Sequence, residues 1–178
     1  MVRVRDDDVL MLNTPDPEAD AKFRTIHEMI VSNGAHHVPA ILCGPIQEFP
    51  DTIRYLLEEM DKGTVTPELH GWDHVSYEEL TVTELEANLG QCVEWFNENL
   101  GVAPKIFYPP WGGVNPEIIA AAKLYGMKAI GTEGIIRPRA VMKSPNVYRG
   151  QQDTELFIHW WAGNEKLVPA LKILNDIR

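Results

Sequence analysis

The sequence predicts an α/β fold, a distorted or incomplete (β/α) barrel of about seven strands. Three observations carry this. Strand-like and helix-like segments alternate along the chain, which calls for a parallel sheet covered by helices. At 178 residues, 44% of them hydrophobic, the chain can bury one sizeable core yet is short for eight full strand–helix units. Finally, Asp7, Asp8, His70, His74, residues 109–112 and His159 all fall at or just past the C-terminal ends of four different predicted strands. In a barrel those ends meet around one mouth, where catalytic groups collect. A single domain over residues 1–178 is expected, with no linker, internal repeat or low-complexity segment.

Taken in order, residues 2–5 read as a short strand. Residues 17–32 carry Ala19, Phe23, Ile26, Met29 and Ile30 at helical spacing before the stop signal Asn33-Gly34. A strand at 38–42 and a helix at 50–60 follow, then a strand at 64–69 that delivers His70. Residues 83–100 form the clearest helix, with Thr83 as its expected cap, Leu85, Leu89, Val93 and Phe96 along one face, and Gly101 closing it. Next come a strand at 105–108, a helix at 116–125 closed by Gly126, a strand at 127–131 and a strand at 155–161. A C-terminal helix at 165–177 carries Leu167, Val168, Leu171 and Leu174, and Pro169 favours a start near that residue.

Composition narrows the function. A formal net charge of -10 disfavours a nucleic-acid partner, since phosphate binding draws on clustered Lys and Arg. Neutral or partly cationic substrates suit this field better than anionic polymers. No stretch approaches the length needed to span a bilayer, and residues 1–8 show no signal-peptide pattern. As written the chain is expected to be soluble and cytoplasmic, with a secreted mature domain as the alternative. Cys43 and Cys92 are far apart and outside any metal-ligand spacing, so both are expected to be small buried residues and not a disulfide framework.

The sharpest local signal is His70-Gly71-Trp72-Asp73-His74. Two imidazoles four residues apart can face one metal ion when the segment turns helically. Asp6, Asp7 and Asp8 end an apolar strand, where three adjacent like charges are costly unless a cation or basic group compensates. The acidic cluster and the histidine pair together supply a two-histidine, one-carboxylate site. One divalent metal is expected, zinc first, with iron, cobalt, nickel or manganese compatible with the same ligands. A carboxylate adjacent to the ligating one is then available as a base. Pro109 and Pro110 carry no backbone N–H, so the first donor in their loop is that of Trp111, available to an oxyanion. The Trp111 ring, with Trp72 and either Trp160 or Trp161, can stack on a sugar face or pack at the rim. His27, inside a helix, is expected at the surface or its boundary. His36-His37 opens a strand at the end opposite the mouth and is expected to be structural.

Four segments in this order resemble the polysaccharide deacetylases with the NodB homology domain, carbohydrate esterase family four. They are Arg5-Asp6-Asp7-Asp8-Val9, His70-Gly71-Trp72-Asp73-His74, Phe107-Tyr108-Pro109-Pro110-Trp111-Gly112 and Phe157-Ile158-His159. The resemblance covers nearly the whole chain. It implies a NodB-like distorted barrel and a metal-dependent hydrolase that removes acetyl groups, N-acetyl favoured, from a carbohydrate by attack of metal-bound water. It further implies Asp8, His70 and His74 as metal ligands, Asp7 as general base and His159 as general acid, with Trp72, Tyr108, Pro110 and Trp111 contacting substrate. Arg5 before the pair and Val9 after it select this register over Asp6 as base and Asp7 as ligand. Two departures stand out. Tyr108 occupies the position before the Pro-Pro step where many members have an Arg, and a further motif has only Glu133, Arg137 or Arg149 as candidates. The competing readings are a catalytically impaired carbohydrate-binding protein of the same fold, a related hydrolase of a non-sugar amide, and a non-haem iron oxygenase, which the strand–helix alternation disfavours. Oligomeric state stays open.

Overall fold

The computed structural model describes residues 2–10, 18–131, 148–149 and 155–159. Its elements are β1 (Val2–Val9), α1 (Ala19–Ser32), β2 (Ala35–Leu42), α2 (Pro50–Asp61), β3 (Glu68–Gly71), α3 (Val82–Leu100), β4 (Ile106–Phe107), α4 (Pro116–Leu124), β5 (Lys128–Ala129), β6 (Tyr148–Arg149) and β7 (Glu155–His159). The strands form one seven-stranded sheet in the order β5-β4-β3-β2-β1-β7-β6. Every neighbouring pair is parallel except β6 with β7. The sheet is the incomplete barrel that the alternation predicts. Among the described residues its outer strands, β5 and β6, do not pair with each other.

The strand pleat sorts β1 and β2 into two faces. Val2, Val4 and Ile41 belong to the main core beneath the helices, and His37 packs there on Phe23 of α1. Val38 and Ala40 turn the other way and pack with Tyr108 inside the sheet's concavity. Each helix seals the outer face with a stripe at helical spacing: Ala19, Phe23, Ile26, His27 and Ile30 on α1, and Leu85, Leu89, Cys92, Phe96 and Leu100 on α3. A fully buried Leu or Phe of this kind contributes about 1.5–3 kcal/mol.

Several boundaries differ from expectation. β1 runs to Val9 and not to residue 5, because parallel partners on both sides carry the ladder through the aspartates. The third strand is shorter than 64–69, with Val65 contributing only an isolated bridge to His37. The cap of α3 is Thr81 and not Thr83. Thr81 lies three residues before Glu84, so its hydroxyl accepts from the Glu84 N–H while the Glu84 carboxylate accepts from the Thr81 N–H. Gly101 closes the helix in the left-handed region, as its place predicts. Cys43 and Cys92 are both free and buried. Among the described residues no helix is long and apolar enough to cross a membrane. The expected helix at 165–177, with Trp160, Trp161, Glu133 and Arg137, lies outside the described residues.

Candidate metal centre

Asp8 reaches the centre because β1 bulges. The β1–β2 register passes from Asp6 opposite Pro39 to Val9 opposite Ile41, so Asp7 and Asp8 together oppose one residue. Asp8 takes φ 59°, a left-handed conformation that costs an L-residue about 1–2 kcal/mol but which Asp tolerates better than most. Strict alternation would turn Asp8 toward the helices with Asp6. The bulge turns it inward instead, the kind of re-aiming bulges commonly provide beside active sites.

A second irregularity places His70. The β2–β3 register steps from Ile41 opposite Leu69 to Leu42 opposite Gly71, leaving His70 as the extra residue. Gly71 takes φ 127°, and a Cβ there would lie 2.5 Å from the Tyr77 hydroxyl. That hydroxyl accepts from the Trp72 N–H at 3.1 Å and donates to the Asn88 side chain. Burial pushes the Tyr77 phenol far above its ordinary value, so it remains a donor. The loop carrying His74 is thereby tied to α3.

The outcome is a cluster in which ligand atoms of Asp8, His70 and His74 all lie within 4.8 Å of one another. Asp8 Oδ1 stands 3.0 Å from Nε2 of His70 and 3.0 Å from Nε2 of His74. Asp8 and His70 are buried, while His74 is half-buried. His70 Nδ1 lies 2.6 Å from the Tyr108 carbonyl oxygen, which can only accept, so Nδ1 carries the proton. His70 thus turns its other ring nitrogen, Nε2, toward the Asp8 carboxylate. Two imidazoles and one carboxylate with mutually close ligand atoms are a fitting donor set for a divalent metal.

The three adjacent aspartates have three separate destinations. Asp6, fully buried beneath the helices, lies 3.6 Å from His37 Nε2. Asp7 meets Arg5 through both oxygens, Nε to Oδ1 at 3.0 Å and the terminal nitrogen to Oδ2 at 3.1 Å. Asp8 goes to the histidines. The β1–β7 register sets the His159 backbone alongside Asp7, with Asp6 opposite Ile158. Trp111 takes φ 63°, the residue is 73% exposed, and its ring stands edge-on to His74 at 4.8 Å. The Gly112 N–H is already engaged by the Pro109 carbonyl at 3.0 Å. Trp72 is half-buried and Pro110 buried.

One expectation is corrected, and Tyr108 has a buried place. The Tyr108 ring lies under the Arg5 guanidinium, 4.3 Å from it. Tyr108 serves the centre through its carbonyl. His27 is 2% exposed and not a boundary residue. It lies 3.1 Å from His37 and 3.1 Å from Glu59, so hydrogen-bond partners replace the water it loses. Sequence reasoning used Arg5 only to set the register and missed its contact with Asp7. The signal was there, since residues two apart on a strand share a face.

Comparisons with known proteins identify the family of this chain. The polysaccharide deacetylase family model matches residues 15–130, a stretch that contains His70, His74 and Trp111 but not β1 or β7. A chitin deacetylase of Cryptococcus neoformans var. grubii is 32% identical over 62 residues, covering 35% of this chain and 13% of the relative. The chain thus spans a small part of that protein's length. Among solved structures, a family 4 carbohydrate esterase from Streptomyces lividans superposes with a TM-score of 0.68 at 16% identity, covering 98% of this chain and 87% of that one. The peptidoglycan deacetylase PdaC from Bacillus subtilis gives 0.65 at 19% identity over 99% and 81%. A family 4 pseudoenzyme from Bacillus anthracis gives 0.72 at 14% identity over 99% and 61%. The structural matches establish the fold alone, while the family model spans well over half of the sequence, and on that ground the chain belongs to the polysaccharide deacetylase family.

Proposed function

We propose that residues 1–178 act as a single catalytic domain, a metal-dependent hydrolase that removes acetyl groups, N-acetyl favoured, from a carbohydrate. The observation that carries this reading is the buried convergence of Asp8, His70 and His74 beside a second carboxylate, Asp7, that is held by Arg5. Family membership and the chitin deacetylase relative support the substrate class. Asp8, His70 and His74 hold the cation, zinc by the chemistry of the donor set. When bound, it supplies a Lewis acid that acidifies water and stabilises charge on a carbonyl oxygen.

The chain's own groups do the rest. Asp7 takes a proton from the attacking water as general base. The Trp111 N–H donates to the oxyanion that develops on the acetyl carbonyl. His159, beside Asp7 in the sheet register, returns a proton to the leaving amine, a role suited to imidazole. The exposed Trp111 ring offers a sugar a flat apolar face at the edge of His74.

Metal content and acetate release from acetylated chito-oligosaccharides test this in wild type, Asp7→Asn and His74→Ala. About one metal per chain is expected, lost in His74→Ala. Asp7→Asn is expected to keep the metal and lose about 100-fold or more in kcat. Protein that binds no divalent metal, or an Asp7→Asn variant with full activity, would overturn the reading. Metal and oligosaccharide binding without acetate release would favour the binding protein, and turnover of cyclic imides or formamides alone would favour the non-sugar amide hydrolase.

A further inference from the structure

We propose that Arg5 is a positioning residue that sorts the two neighbouring carboxylates, reserving Asp7 for proton transfer by keeping it off the metal that Asp8 binds. The proposal rests on the reading of Asp7 as base. A strand that places two aspartates side by side at a cation site faces an ambiguity. Both carboxylates are hard oxygen donors, and a cation with open positions would accept either or both. A base recruited as a ligand is no longer available to a proton.

The geometry resolves that ambiguity with a buried ion pair. Arg5 Nε and a terminal nitrogen of the same guanidinium meet the two different oxygens of Asp7 at 3.0 and 3.1 Å. The terminal nitrogen donates a hydrogen bond to Oδ2, whereas Nε meets Oδ1 as a close charge contact without hydrogen-bond alignment, so a buried ion pair anchored by one hydrogen bond holds the carboxylate beside Arg5. The Asp7 carboxylate stands outside the Asp8–His70–His74 group of mutually close ligand atoms. Both oxygens keep lone-pair capacity, so Asp7 can still accept a proton while Arg5 holds it.

Arg5 is itself fixed. It is 2% exposed, it shares a strand face with Asp7, and its guanidinium lies 4.3 Å over the Tyr108 ring. Tyr108 in turn is anchored by its N–H to the Leu69 carbonyl at 2.8 Å, and its own carbonyl accepts from His70 Nδ1. One residue thus carries the base clamp on its ring and a metal ligand on its backbone. The spacing between base and cation is set through Tyr108, and the chain has no need to rely on the flexibility of two long side chains.

Cobalt-loaded protein tests this without relying on turnover, because the visible d–d bands of Co(II) report the number and type of ligands. The comparison is wild type, Arg5→Gln, Asp7→Asn and the Arg5→Gln/Asp7→Asn double variant, each with cobalt stoichiometry. Wild type and Asp7→Asn are expected to share one spectrum, since Asp7 is not a ligand. Arg5→Gln is expected to keep about one cobalt per chain but show weaker bands as Asp7 joins the metal, and the double variant returns to the wild-type bands. In the same Arg5→Gln protein kcat for acetate release falls about 100-fold with KM within twofold. Arg5→Lys, which retains the buried charge but not the guanidinium's contact with both Asp7 oxygens, shows the same spectral change to a lesser degree and serves if Arg5→Gln does not fold. An unchanged spectrum in the folded Arg5 variants, or a change that Asp7→Asn fails to reverse, overturns the sorting role. Absence of acetate release in wild type overturns the deacetylase reading while the spectra still decide the role of Arg5.

Discussion

At the mouth, Trp111 spends backbone strain to put a large ring in water. Its φ of 63° lies in the region disfavoured for L-residues, and the residue is 73% exposed. An aromatic ring presented in this way beside the half-buried His74 is a surface a pyranose can stack on. Trp111→Ala is expected to weaken binding of chito-oligosaccharides by roughly threefold to tenfold, the worth of one aromatic contact, with cobalt or zinc content unchanged. Calorimetric titration of metal-loaded protein checks it, and equal affinity in both proteins would remove the ring from the binding surface. Asp8 is the second strained residue of the site, and there the strain turns a carboxylate from the helix side toward His70 and His74.

The elements that hold these residues differ in how they are secured. α3 has a complete capping box at Thr81 and a left-handed Gly101 at its other end, and through Asn88 and Tyr77 it braces the loop carrying His74. Thr81→Ala removes the cap and is expected to destabilise the protein by about 1 kcal/mol. Thr83→Ala, one turn position inside the helix, is expected to be within about 0.5 kcal/mol of wild type. Urea denaturation of the two variants separates them, and equal losses would mean that the helix begins elsewhere. β1 and β3 are secured differently, by parallel neighbours on both sides, so each tolerates the irregularity that serves the site.

For the molecule as a whole, a buried polar chain beneath the helices links Glu59, His27, His37 and Asp6. Burial lowers His37 well below its ordinary value, and lowers His27 despite the neighbouring Glu59 carboxylate. Burial raises Glu59, but hydrogen bonds from Lys62, Thr64 and His27 outweigh it and hold the group at about 2. The signs agree. Below about 6.5 the unfolded chain binds protons that the folded imidazoles refuse, so stability falls with pH, and Glu59 adds a further loss from about 4.5 toward about 2. Each imidazole contributes at most about 1.4 kcal/mol per pH unit. Urea midpoints measured from pH 8 to pH 5 should drop most steeply below 6.5, and less steeply in His27→Gln. A flat profile over that range would show that the chain opens to water or shares protons internally.

The sequence by itself determined the α/β class, the rough strand and helix order, and the residues from which a metal site can be drawn. Those depend on short spacings: period two on strands, three to four on helices, and four residues between His70 and His74. Tertiary structure decided which aspartate goes where. Asp6, Asp7 and Asp8 are chemically identical, and only the bulge against β2, the ring of His37 and the ion pair with Arg5 distinguish them. It likewise decided that Tyr108 faces Arg5 and that His27 is buried. Those outcomes come from pairings tens of residues apart, which local periodicity does not encode.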